Sequence, residues 1–253
     1  VNANVSANVK PFESAQPAGA VRLNDAQSAS ARTQTDAVAV VPPLLDVASR
    51  GVCVTAGAIT PLPGGYGFRV NAGGMRAVIA GDQSLAAEVA FTYRGPSTRA
   101  EPLANGELRR QIGLKLRAQD TCNVVYVMWH IEPKPGIAVS VKRNANASSH
   151  DECGAGGYIN VRPRTSAAAP VIASASEPPS DAGAALQHTL RADVVGSDLR
   201  VTADGTLVWL GRLPPEAFEI DGPTGIRTDN GIFDAELRVP GGLRPNAVCP
   251  PRR

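Results

Sequence analysis

The sequence predicts an all-β domain of the sandwich or barrel kind, and three observations carry that prediction. Between Gln111 and Ala118, Ile112, Leu114, Leu116 and Ala118 alternate with Gln111, Gly113, Lys115 and Arg117. A period of two sets one face on a core and the other in water, which no helix does. Elsewhere the apolar segments are short and punctuated by Gly, Pro, Asn and Asp clusters, as in domains built of many short strands. No segment shows a sustained helical period. With 253 residues and 43% hydrophobic content the chain can bury a full core, and an all-β unit of ~200 residues is of ordinary size.

Taken in order, residues 1–48 read as an extended, low-complexity N-terminal arm, and residues 49–253 as the globular domain. In the arm, Val1, Val5 and Val9 share a face with Ala3 and Ala7, against Asn2, Asn4, Ser6 and Asn8. That is a strand pattern without a hairpin partner nearby, so it reads as a donor strand for a sheet edge on a neighbouring molecule. The residues after Lys10-Pro11 are Ala, Ser, Gln, Asp and Thr, a linker composition. Short strands follow at Val52 to Gly57, Tyr66 to Val70, Met75 to Ala80 and Leu85 to Tyr93. Three consecutive strands form the centre. The second, Val124 to Ile131, is apolar at nearly every position, as a strand covered on both faces should be. The third sets Ile137, Val139 and Val141 on one face. Lys142 to Gly157 and Arg162 to Gly183 read as long loops. A meander closes the chain: His188 to Val195, then Leu199 to Ala203, an Asp204-Gly205 hairpin turn, Thr206 to Leu213, and a last strand from Ile232 to Val239. Phe233, Leu237 and Trp209 are the expected core residues of this part.

Three segments resemble a known superfamily. QIGLKLRAQDTCNVVYVMWHI, HTLRADVVGSDLRVTADGTLVW and GPTGIRTDNGIFDAEL are similar to strand signatures of the concanavalin A-like (laminin G-like) jelly rolls, over roughly residues 50 to 245. The resemblance implies an antiparallel sandwich of two sheets packed face to face. It implies little about activity, because that fold hosts lectins, polysaccharide hydrolases and structural modules.

Four cysteines without a CxxC or Cys/His zinc spacing point to disulfides and an oxidising compartment. The preferred pairing is Cys122 with Cys153 and Cys53 with Cys249, the latter tying the first strand of the domain to its last; two other connectivities stay open. The chain starts at Val1 with no Met, as it would after removal of a signal peptide, so an extracellular or cell-surface location is expected. The formal charge of +2, from 25 basic and 23 acidic residues, is interspersed. No basic stripe with interleaved aromatics marks a nucleic-acid partner, and no apolar run reaches the ~20 residues of a membrane span.

The chemistry candidates are few. Jelly-roll glucanases carry Glu-x-Asp-x-x-Glu along one strand, which this sequence lacks, so a catalytic role is not expected. Glu132 is the best lone acid, and Glu216, Glu219 and Asp221 lie in a Pro-Pro-initiated connection. His150-Asp151-Glu152-Cys153 invites a metal reading, but consecutive residues of an extended chain point to opposite faces and Cys153 is reserved for a disulfide. No cofactor or resident metal is expected; a calcium ion on Asp151 or Glu152 is the one the loop allows. His188 reads as structural. Sugar binding needs exposed aromatics with amides and cations. Either Tyr126, Met128 and His130 form that face with Lys115 and Arg117 beside them, or Tyr126 and Met128 are core and Trp129 faces out. Three function classes remain. The first is a non-catalytic extracellular structural subunit that polymerises through its arm, the second a lectin-like module for a polysaccharide, and the third a glycan hydrolase or lyase.

Overall fold

The computed structural model describes residues 43–172 and 186–241, together with Cys249. The strands are β1 (Leu44–Asp46), β2 (Val52–Ala56), β3 (Thr60–Pro61), β4 (Phe68–Ile79), β5 (Ala86–Pro96), β6 (Arg110–Leu116), β7 (Val124–Glu132) and β8 (Gly136–Lys142). After a one-turn helix, α1 (His150–Cys153), come β9 (Tyr158–Val161), β10 (Thr165–Ser166), β11 (Gln187–Val195), β12 (Asp198–Ala203), β13 (Thr206–Arg212) and β14 (Gly225–Pro240). Every pairing is antiparallel.

The architecture follows from β14. One of its edges runs along β4, from Gly225 opposite Val78 to Ala235 opposite Phe68. Its other edge pairs with β6 up to Asp229 and with β5 from Gly231 onward. A single strand thereby enters two sheets, β9-β8-β7-β6 on one side and β5-β11-β12-β13-β10 on the other. The switch falls at Asn230, whose φ of 54° is one that Asn tolerates better than most side chains. Gly231 follows, where a β-carbon would lie 2.3 Å from the Phe233 ring. Between the layers lies one apolar core, in which Trp129 of β7 meets Phe91 of β5 edge-on at 5.6 Å. Phe233, Leu237 and Trp209 are buried there, as expected, and the Asp204-Gly205 turn has both φ angles positive, 48° and 76°, the hallmark of a type I′ hairpin. The fold is thus the two-layer antiparallel jelly roll that the resemblance implied.

The structure departs from the expected elements in four places. The two strands expected at Tyr66 to Val70 and Met75 to Ala80 merge into one, β4 (Phe68–Ile79), which runs straight through Asn71-Ala72-Gly73-Gly74. Gly225 to Arg227 likewise joins the closing strand. Asn-Ala-Gly-Gly signals the first break and the Pro-containing Gly222-Pro223 connection the second, but in both the partner strand continues across and supplies the hydrogen bonds. The loop after Lys142 contains α1, whose Ser149 and Glu152 form a capping box, and the edge strand β9 follows it. Finally, Leu44–Asp46 pairs with β14 and Val47 is fully buried, so the sandwich starts before residue 49. Val1, Val5 and Val9 lie outside the described residues. Both disulfides have the preferred connectivity, with Cα–Cα separations of 5.9 Å for Cys122–Cys153 and 5.3 Å for Cys53–Cys249, within the usual range.

Candidate functional site: a cationic groove on the outer face of the first sheet

Antiparallel register places side chains in rows, and on the face of this sheet turned away from the core three rows meet. Gly74, Asp229, Gln111 and His130 form one; Arg76, Arg227, Gly113 and Met128 the next; Gly225, Lys115, Tyr126, Ser140 and Asn160 the third. Most of these side chains floor a groove of about 740 Å³, a volume in the range of ligand sites, and Lys115 borders it in an adjoining cavity. The groove's walls are the 101–109 loop on one side and α1 with Tyr158 on the other. Asn230 anchors the first wall: its side chain accepts from the Glu101 N–H at 2.7 Å and donates to the carbonyls of Glu101 and Arg109. Lys142 anchors the second, donating to the carbonyls of Thr121 and Gly154 beside the Cys122–Cys153 bridge.

The floor is charged. Asp229, 1% exposed, accepts hydrogen bonds from Arg76 (2.6 Å), Arg227 (2.8 Å) and Gln111 (2.6 Å). Burial alone would raise its pKa, but the two guanidinium groups and the amide hold it below the usual carboxylate range. The Arg227 guanidinium lies 4.9 Å from the centre of the Tyr126 ring, a cation–π contact. Tyr126 in turn stacks on Tyr158 with ring centres 6.3 Å apart and planes 22° from parallel. Tyr126 is nearly covered, and burial raises its phenol pKa, whereas Tyr158 is 42% exposed at the wall. Gln111 Oε1 has no hydrogen-bond partner among the described residues. At Gly113 a β-carbon would lie 2.7 Å from Met128 Sδ, so the missing side chain lets Met128 lie across the floor. His130 stands 3.4 Å from Arg109 Nη1; burial and that guanidinium bring its pKa down to about 4.

Of the sequence-predicted ligand residues, Tyr126, His130 and Lys115 reach this face, and Trp129 and Arg117 do not. Trp129 is fully buried between the layers against Phe91 and His188, because neighbours in a strand point to opposite faces and Tyr126 and His130 take the outer one. Arg117 leaves the alternation: its φ is 51°, and its Nε donates to the Ile220 carbonyl at 2.6 Å, outside the groove. Sequence reasoning missed Arg76, Gln111, Asp229, Arg227 and Tyr158. A signal existed for one of them, since Tyr158 and Asn160 alternate with Ile159 and Val161; Arg227 and Asp229 lie between the Gly222-Pro223 connection and the closing strand, a stretch whose sequence gives no strand signal of its own.

Three of the acid candidates are engaged elsewhere. Glu132 pairs with Arg110, and Glu219 with Arg143 at 3.2 Å. Glu152 caps α1, accepting from the Ser148 and Ser149 N–H groups at 2.9 Å each. Among the described residues no three His, Cys, Asp or Glu side chains converge as metal ligands, and no helix is long and apolar enough to cross a membrane. His188 Nδ1 lies 2.8 Å from the Asp204 carboxylate and its ring packs on Phe91 and Trp129, a structural placement.

No protein-family model matches the chain, and no curated protein matches it. Solved structures similar to it include the carbohydrate-binding module CBM66 from Bacillus subtilis, with a TM-score of 0.47 and 11% identity over 73% of this chain and 91% of that one. The Caenorhabditis elegans galectin LEC-6 has a TM-score of 0.36 and 9% identity, covering 76% of this chain and 99% of that one. The Crh5 transglycosylase in complex with NAG has a TM-score of 0.38 and 13% identity, covering 78% and 87%. At such identities the likeness is one of fold.

Proposed function

We propose that this protein is an exported, non-catalytic module that binds a carbohydrate chain in the groove. The observation that carries this reading is the exposed Tyr158 ring at the wall, backed by Tyr126, facing a floor of guanidinium, amide and carboxylate groups. An aromatic face offers a pyranose ring apolar contact, and planar charged groups offer its hydroxyls paired hydrogen bonds. Two disulfides support an oxidising, extracytoplasmic setting. A non-catalytic role is supported by the state of the acids. Glycoside hydrolysis needs a protonated carboxyl opposite an ionised one, and Asp229, between Arg76 and Arg227, is held in the charged form. The structural-subunit reading rests on Val1, Val5 and Val9, outside the described residues.

Affinity electrophoresis against a panel of neutral and acidic polysaccharides tests the proposal. Retardation by at least one polymer is expected, and Tyr158→Ala should weaken it about tenfold, equivalent to ~1.4 kcal/mol. Retention by none would overturn the binding reading; release of reducing ends or unsaturated products from a bound polymer would overturn the non-catalytic one.

A further inference from the structure

A second cavity, of about 660 Å³, shares Arg76, Tyr126 and Glu101 with the groove, and Lys115 lines it. Lys115 is 5% exposed. Buried lysines are almost always paired, yet this amine makes no hydrogen bond or ion pair among the described residues. The charges that act on it most strongly, Arg76 and Arg227, carry its own sign. Both are already committed to one carboxylate, Asp229. Asp120, the one acid that favours its protonation, is occupied by the Cys122 N–H at 2.7 Å and the Asn123 amide at 2.9 and 3.0 Å. Arg76, Arg99 and Lys115 thus line this cavity against one carboxylate, Glu101, while Arg227 and Asp229 lie in the adjoining groove. A neutral sugar cannot relieve that imbalance, whereas an anion supplies the missing partner through charge-assisted hydrogen bonds.

From this arrangement we infer that the cavity is a subsite for an acidic group, a carboxylate or a sulfate ester, carried by the glycan in the groove, with Lys115 as the ammonium that pairs with it. The inference rests on the carbohydrate-binding reading and names its ligand class. It also carries a pH dependence. Burial first, and Arg76 and Arg227 next, bring the Lys115 pKa down to about 7, so the free amine loses its charge as pH rises through neutrality. Arg99, Glu101 and His150 also line the cavity, and a variant must separate Lys115 from them.

The test uses the full chain with polygalacturonate for the carboxylate, dextran sulfate for the sulfate and dextran as the neutral polymer, at about pH 6 and about pH 8.5. One acidic polymer should bind at least about tenfold tighter than dextran, more so at the lower pH, and the polymer preferred identifies the acidic group. Lys115→Met should erase both the preference and its pH dependence while leaving the melting midpoint equal or higher. Arg200→Ala, on an exposed position of β12, should change neither. A preference that survives in Lys115→Met, or a pH dependence that persists there, would overturn the subsite. If acidic polymers bind no better than neutral ones while Tyr158-dependent binding stands, the subsite falls and the carbohydrate reading remains. If no polymer of the wider panel binds, both fall.

Discussion

Trp129 and His130 show how one step along a strand separates core from site. Trp129 is sealed between the layers, while the next side chain stands in the groove against Arg109. Burial and the Arg109 charge, partly offset by Glu107, place the His130 pKa near 4 in the fold, against about 6.5 in the unfolded chain. Between these values the unfolded chain takes up a proton that the folded one does not, so stability falls as pH drops from about 6.5 toward 4. His130→Gln removes this contribution. Thermal melts at about pH 7 and pH 4.5 should show a smaller acid-induced drop in midpoint for the variant than for the parent; equal drops would show that His130 titrates normally. For Lys115 the folded pKa is also depressed, so below about pH 7 the fold carries a charge it pairs poorly. The stabilisation by Lys115→Met should therefore be largest at that end of the pH range and shrink as pH rises.

At the scale of the element, β14 carries the molecule's organisation. Its first half presents Arg227 and Asp229 to the groove, and its second half buries Phe233, Ala235 and Leu237 in the core. Phe233 packs against Tyr93 and Phe91 of β5, with ring centres at 5.3 and 6.1 Å, and these buried rings leave little room to collapse. Phe233→Ala should lower the unfolding free energy by ~3 to 5 kcal/mol. Urea titration measures this, and a change under ~1 kcal/mol would mean that the ring is not packed as described. A strand of this length was not legible, because Thr-Asp-Asn-Gly in β14 and Asn-Ala-Gly-Gly in β4 both carry turn signals. Local preference for a turn yields where a neighbouring strand runs across the segment and offers it hydrogen bonds.

For the whole molecule, the Cys53–Cys249 bridge closes a loop of 196 residues and ties β2 to the chain beyond β14. In the chain-entropy model so long a loop stabilises by ~5 kcal/mol. The double variant Cys53→Ser, Cys249→Ser should lose that much in urea unfolding. Intact mass after alkylation without reductant should show no modified thiol in the parent, and four alkylated cysteines there would end the disulfide assignment. The second bridge acts on the groove, since it pins α1 to the 119–123 turn beside the wall that carries Tyr158.

The alternating residues of β6, the unbroken apolar run of β7, the Asp204-Gly205 turn and the even, unmotifed cysteines were enough to determine an all-β sandwich with disulfides. Those signals are local: a period of two, a two-residue turn and a chemical type survive without knowledge of any partner. Which face of β7 is core was not readable, because a strand covered on both sides is apolar on both, and only the opposing layer with Phe91 decides that Trp129 goes inward. The groove was equally out of reach. Arg76, Arg227, Gln111 and Lys115 come from three strands, and their convergence on Asp229 or on one cavity is set by register between segments up to 153 residues apart. Register of that kind is fixed by long-range backbone pairing, which the sequence of any one strand does not contain.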